Sequence, residues 1–293
     1  MALTIEQIID FQTNGYLIAE DVFAEEDLAP VIEELNRAID ERANELYAQG
    51  KITDRCEGEP FETRMASLMR QSTEAGRGFD IMYLLGPAMF EFLHNPKLLD
   101  VAECLLGRDV SCNPIQHIRL KTPWKGEGEQ PVGMENVPWH QDAAVTTEDS
   151  EASEVITFWI PLVDATARTG CMQVIPRSFR RGYLTHQAEG GTTIRGDLMP
   201  GEQPVTAECR KGGIVMMNKY TPHRGTSNRS DIVRWSLDLR FHKTGSPSGR
   251  SVQPSFVVRG SEEGAEHGAI DYETWCALWR EALAKPMKGH HRV

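Results

Sequence analysis

In the first hundred residues apolar positions recur every three or four, the period of helices packed on one face. Thr4 to Gln7 has the spacing of a capping box that opens a short helix. Asn14-Gly15 predicts its end, before a short strand at Tyr16-Leu17-Ile18-Ala19. From 25 to 48, Leu28, Val31, Ile32, Leu35, Ile39 and Leu46 trace one side of an amphipathic helix. Residues 50–76 are polar and irregular and predict no regular element. Two more helices are expected near 86–93 and 96–106, the second stopped by Gly107.

From residue 109 the period changes. Short apolar, β-branched runs at 110–121, 154–163, 171–176, 204–208, 213–217 and 232–242 alternate with Gly, Pro, Asn and Asp. Strands divided by turns, without helices between them, predict an antiparallel sandwich or barrel. A last helix is expected near Tyr272 to Ala284. With no repeat and no linker, the chain reads as a single domain, 1–293. It comprises a helical layer (1–108), a β core (109–245) and an extension with a helix (246–293).

The run from Val233 to His242 alternates strictly. Val233, Trp235, Leu237, Leu239 and Phe241 face one way, and Arg234, Ser236, Asp238, Arg240 and His242 the other. Alternation alone fits a sheet with one wet face more readily than a barrel holding a charged ligand.

Charge narrows the partners. Thirty-one Lys and Arg against 43 Asp and Glu leave a net charge of -12, which repels nucleic acid and anionic membranes. No apolar run approaches the length of a membrane span. The stretch Met1 to Asp10 lacks a basic segment and contains Glu6 and Asp10, so no signal peptide is expected there. Cys56, Cys104, Cys112, Cys171, Cys209 and Cys276 form no CxxC and read as reduced, mostly buried thiols of a cytoplasmic protein. The expected partner is a small molecule.

Of nine histidines, only His140 has a carboxylate two residues on, in His140-Gln141-Asp142. On a strand these two side chains share a face and can share a metal. Composition alone supplies about one such pair by chance, so the motif needs support. His223, in Thr221-Pro222-His223-Arg224-Gly225-Thr226, supplies it: Arg234 follows eleven residues later, with Ser236 beyond it on the same face. A five-carbon 2-oxo diacid that chelates a metal needs its far carboxylate neutralised, which an Arg fork beside a hydroxyl does. The rival third ligands, His186 and His242, have Asp197 and Gln253 at the same offset.

Two stretches, PWHQDAAVTTEDSEASEVITFWIPLVDATARTGCMQVIPR (138–177) and GGIVMMNKYTPHRGTSNRSDIVRWSLDLRF (212–241), resemble the phytanoyl-CoA dioxygenase (PhyH) family. The resemblance covers most of residues 1–245. It implies a mainly β protein with a helical N-terminal layer and a double-stranded β-helix core of the jelly-roll or cupin-like kind. It further implies a non-haem Fe(II)- and 2-oxoglutarate-dependent dioxygenase that uses O2 to hydroxylate an unactivated C–H of a small or medium metabolite, with release of succinate and CO2. By the same resemblance His140, Asp142 and His223 are the iron ligands, and Arg234 and Ser236 hold the distal carboxylate of 2-oxoglutarate. Lys121 and Trp159 lie beside the co-substrate, and Gln141 contacts its metal-binding end.

Retention of Asp142 implies hydroxylation, or a related desaturation, rather than chlorination. Departures lie outside these positions. The family's Asn-Gly is Thr169-Gly170 here, its Pro-Gly-Ser-His is Pro176-Arg177-Ser178-Phe179, and the ectoine-hydroxylase pattern after HxD is absent. Arg119, His186 and Arg240 are candidates for the substrate pocket, each with a purely structural alternative. The acidic run Glu148 to Glu154 reads as a solvated loop or a lid, and the tail pair His290-His291 as disordered. Two other functions stay open: a non-catalytic barrel that binds a ligand or metal, and a zinc hydrolase using the same three ligands.

Overall fold

The computed structural model describes residues 2–133, 136–188, 191–250, 252–260, 268–285 and 291–293. The capping box is formed in both directions: Gln7 N–H donates to Thr4 Oγ1 at 3.2 Å and Thr4 N–H to Gln7 Oε1 at 2.9 Å. It opens α1 (Ile5–Asn14), and Gly15, at φ 78°, turns the chain into β1 (Tyr16–Ala19). The long helix α2 (Glu25–Ala48) buries Leu28, Val31, Leu35, Ile39 and Leu46.

Where no element was expected, the chain forms α3 (Phe61–Gln71). Its buried side carries Arg64 and Ser67 beside Met65 and Leu68, so its inward stripe does not read as apolar. A single turn, α4 (Ile81–Leu84), precedes α5 (Pro87–Leu93) and α6 (Pro96–Leu106), and the last helix is α7 (Tyr272–Ala284).

Among the described residues seven strands build the larger sheet. They are β1, β2 (Val110–Cys112), β3 (His117–Lys121), β4 (Val155–Pro161), β9 (Ile214–Asn218), β11 (Arg234–Lys243) and β12 (Phe256–Arg259). The path runs β1-β9-β4-β11-β2-β12, with β3 also on β11. A facing sheet of three orders β10 (His223–Gly225), β5 (Met172–Val174) and β8 (Val205–Ala207). A hairpin of β6 (His186–Ala188) and β7 (Thr192–Ile194) stands apart. All pairings are antiparallel. This is a double-stranded β-helix under a helical layer. The extension past 245 contributes more than a helix, since β12 lies on β2.

Strand β11 divides the molecule in two. Trp235, Leu237, Leu239 and Phe241 join Ile156, Phe158, Ile160, Ile214 and Met216 in one core with the helices. Phe61 of α3 stacks on Trp235, centroids 5.1 Å apart. Each such side chain contributes about 1.5–3 kcal/mol by leaving water. Between the sheets lies a smaller core of Trp159, Cys171, Met172, Val174, Val215 and Met217. The polar side of β11 is not wet: Arg234, Ser236, Arg240 and His242 are all buried inside the barrel. That corrects the wet-face reading; alternation shows that a face is polar but not whether a second sheet covers it.

Candidate metal centre

The histidines of the two stretches meet across an antiparallel bridge. His140 N–H donates to the His223 carbonyl at 3.0 Å, and His223 N–H to the His140 carbonyl at 2.9 Å. Their rings therefore lie side by side, centroids 4.2 Å apart. Each Nδ1 sits 2.9 Å from the carbonyl two residues upstream, Pro138 for His140 and Thr221 for His223. Donation there fixes the tautomer and turns both Nε2 lone pairs to the centre.

His140 and Asp142 were expected on a strand. His140 instead makes only the bridge, and Asp142 opens a short 3-10 turn (Asp142–Val145). The extended Gln141 between them keeps both on one side. Asp142 Oδ1 lies 3.8 Å from His140 Nε2 and 3.9 Å from His223 Nε2. One ligand atom from each residue falls within 4.8 Å of the others, in the pattern of a two-histidine, one-carboxylate triad with open positions.

Both carboxylate oxygens are held. Arg240 Nη2 donates to Oδ1 at 2.7 Å, and the Thr157 hydroxyl of β4 donates to Oδ2. Burial opposes charge on Asp142, but Arg240 and the two imidazoles outweigh it and keep the carboxyl well below its usual range. Burial, then the neighbouring His223, pushes His140 down to about 3, so its imidazole is neutral and ready to ligate.

Six residues back along the same side of β11 sits Arg234, also 4% exposed. It donates to Ser236 Oγ at 2.5 Å, and its Cζ lies 5.1 Å over the Trp159 ring. Its Nε has no partner, and among the described residues it pairs with no carboxylate. Burial lowers its pKa to about 10. Lys121, opposite Arg234 on β3, donates to Asn136 Oδ1 at 2.8 Å and to the Thr226 carbonyl. Two glycines leave room for it: a Cβ at Gly225 would meet its Nζ at 2.7 Å, and one at Gly170 (φ +83°) its Cδ at 2.7 Å.

Gln141, expected at the co-substrate, faces the scaffold. Its Nε2 donates to the carbonyls of Gly182 (2.9 Å) and Tyr220 (2.7 Å), and its Oε1 accepts from Leu184 N–H (2.7 Å). Lying between two residues that face the centre, it faces away. His186 Nε2 accepts the Gln141 N–H at 3.0 Å and so braces the motif. His242 lies on the barrel side of β11, 3.5 Å from Ser255. Asp238, between the two arginines on that side, links Arg240 (3.5 Å) to Arg119 (3.8 Å). The signal for Arg240 was its place in the alternation; Thr157 gave none beyond its strand.

The acidic run is fastened rather than free. Lys219 Nζ donates to the carbonyls of Ser150 (2.6 Å) and Glu151 (2.8 Å), and Ser150 and Ser153 are buried. Of the tail pair, His290 lies outside the described residues, while His291 contacts Thr192. The six cysteines are free thiols; Cys56 and Cys104 are partly exposed and the rest buried. Among the described residues no helix is long and apolar enough to cross a membrane.

Comparison with known proteins now adds to this geometry. Phytanoyl-CoA dioxygenase domain-containing protein 1 of Mus musculus is 22% identical over 271 residues, 82% of this chain and 90% of the relative. The ectoine dioxygenase of Bordetella parapertussis is 21% identical over 182 residues, 61% of this chain and 51% of that enzyme. Among solved structures, the non-haem monooxygenase ThoJ superposes with a TM-score of 0.63 at 17% identity, covering 94% of both chains. The epimerase SnoN, bound to Fe3+, α-ketoglutarate and nogalamycin RO, gives 0.57 at 20% identity over 83% of this chain and 86% of its own. At these identities the likeness is one of fold. The family model for phytanoyl-CoA dioxygenase matches residues 11–236, and the chain belongs to that family.

Proposed function

We propose that this protein is an Fe(II)- and 2-oxoglutarate-dependent dioxygenase that hydroxylates an unactivated C–H bond of a small or medium metabolite. The observation that carries the proposal is a pair of features inside the barrel. A His-Asp-His cluster can hold a metal, and the buried Arg234 has an unpartnered Nε and pairs with no carboxylate among the described residues. A dianionic co-substrate reaching from one to the other satisfies both.

His140, Asp142 and His223 would hold the iron, the imidazoles through Nε2 and the carboxylate through Oδ1. Arg234 and Ser236 would take the distal carboxylate of 2-oxoglutarate, with Trp159 beneath the guanidinium. Lys121, in its slot between Gly170 and Gly225, adds positive charge on the neighbouring strand. With the co-substrate bound, iron supplies activation of O2, coupled to cleavage of 2-oxoglutarate into succinate and CO2 and hydroxylation of the substrate. The chain's own share is positioning and exclusion of water. Arg240 and Thr157 hold Asp142 at both oxygens, so the carboxylate meets the metal in one orientation. Since Asp142 occupies the position that a halide needs, oxygen insertion is favoured over chlorination. The six free thiols support placement in a reducing, cytoplasmic compartment.

The test is succinate formation by purified protein with Fe(II), ascorbate and 2-oxoglutarate, with and without O2, followed by a metabolite screen scored by stimulated turnover. O2-dependent succinate supports the proposal. Turnover of a screened metabolite that needs neither O2 nor 2-oxoglutarate points to a hydrolase, and absence of iron and 2-oxoglutarate binding points to a non-catalytic barrel. Either result overturns it.

A further inference from the structure

Arg292 is remote in sequence from every candidate ligand, yet it lies against the turn that follows Asp142 and connects through Tyr183 and His186 to Gln141. Downstream, the turn that opens at Asp142 presents a run of backbone carbonyls. Arg292 N–H donates to Ala144 O at 2.8 Å, its Nε to Thr146 O at 2.7 Å and its Nη2 to Thr147 O at 2.8 Å. Arg250 Nε covers the remaining one, Val145 O, at 2.9 Å. A further contact joins Arg292 Nη1 to Glu151 Oε2 at 2.7 Å.

Upstream, Tyr183 Oη donates to the Arg292 carbonyl at 2.7 Å, and the guanidinium lies 5.1 Å over the Tyr183 ring. Tyr183 stacks on His186, centroids 5.4 Å apart at 25°. His186 in turn accepts the Gln141 N–H at 3.0 Å. A continuous set of contacts thus runs from the turn carbonyls through Arg292, Tyr183 and His186 back to the backbone between the two ligands.

We propose that Arg292 is a positioning residue for the metal centre, fastening the turn that begins at Asp142 to the segment that braces Gln141. This role rests on reading His140, Asp142 and His223 as metal ligands. His223 is set by its own strand and bridge. The separation of Asp142 from the two imidazoles depends on backbone that Arg292 holds directly at the turn and, through Tyr183 and His186, at Gln141. Ligand placement must be kept within a fraction of an ångström, which loose support does not achieve.

The experiment is anaerobic titration of the full chain with Co(II) alone, read by its visible ligand-field bands, together with amide hydrogen exchange, for wild type, Arg292→Ala and Arg292→Lys. Loss of such supporting contacts weakens metal binding by about 10–100-fold. Arg292→Ala is expected to fall at the low end, about tenfold, with altered bands and faster exchange across 142–151, while β4 and β11 stay protected. Arg292→Lys, which keeps the charge but offers one ammonium in place of Nε and Nη2, is expected to recover part of the affinity, and it serves as the test if the alanine variant does not fold. Unchanged affinity and bands in Arg292→Ala overturn the role, whether or not exchange is faster, because faster exchange alone marks a merely structural contact. If wild type shows no cobalt bands, the oxygenase reading falls and this role with it. That result is told apart from equal binding by wild type and variant, which removes the role alone.

Discussion

Arg234 and Arg240 occupy the same side of one strand and are equally buried, but their surroundings are opposite. Arg240 has Asp142 at 2.7 Å, Asp238 at 3.5 Å and the Ile115 carbonyl at 3.2 Å. These carboxylates overcome the cost of burial and raise its pKa above the ordinary arginine value. Arg234 has a hydroxyl and an aromatic ring, and burial lowers its pKa to about 10. A desolvated charge is tolerated when it is paired and is costly when it is not. One arginine therefore belongs to the folded architecture, and under the proposed function the other would receive the distal carboxylate of 2-oxoglutarate.

The strongest way to break this comparison acts on the carboxylate that one arginine holds. Asp142→Ala is expected to abolish metal binding and lower succinate formation by more than about 100-fold, measured by titration and by turnover. Retained metal affinity would show that Asp142 serves only as the counter-ion of Arg240.

Next comes stability. Arg240→Met leaves Asp142 with its hydroxyl donor but without its cation, and is expected to cost about 3–5 kcal/mol in urea unfolding. Arg234→Met removes a buried charge with no carboxylate partner among the described residues, and its stability without ligand should be unchanged or higher. Equal losses in the two variants would erase the distinction.

Ligand binding sharpens it further. Two charge-assisted hydrogen bonds at about 1.5–3 kcal/mol each make Arg234→Met weaken 2-oxoglutarate binding by at least about 100-fold, with Fe(II) affinity little changed. Calorimetry on the iron-loaded protein checks this, and a parallel fall in both affinities would remove the clamp.

A smaller effect concerns pH. Burial lowers His242, on the same barrel wall, to about 4, and His186 likewise to about 4. A folded value below the unfolded one of about 6.5 means that the unfolded chain binds protons first. The stability these neutral rings contribute is fully present above pH 6.5 and is lost as pH falls toward 4. Urea midpoints across that window should decline with acidity, and His242→Phe should flatten part of the decline.

Much of the site was legible because it is local. The HxD spacing, through the extended Gln141, and the alternation of β11 are short-range patterns that backbone geometry turns into shared sides, while the offset from His223 to Arg234 spans two sheets. The helix α3 was not legible, because Arg64 and Ser67 on its inner side break the apolar stripe. Gln141 was misplaced for a related reason. The residue between two ligands must face away from them, and what it meets there comes from Gly182, Leu184 and Tyr220.

By itself, then, the chain's order of residues determined the elements, the two faces of β11 and the chemical identity of the three ligand candidates. These follow from periodicity and from the donor atoms that each side chain carries. Only the tertiary structure decided that the polar face is buried, that Asp142 is held by Arg240, and that Arg234 is left without an anion. Pairing and desolvation depend on which distant groups come to lie within a few ångströms, and sequence spacing does not encode that distance.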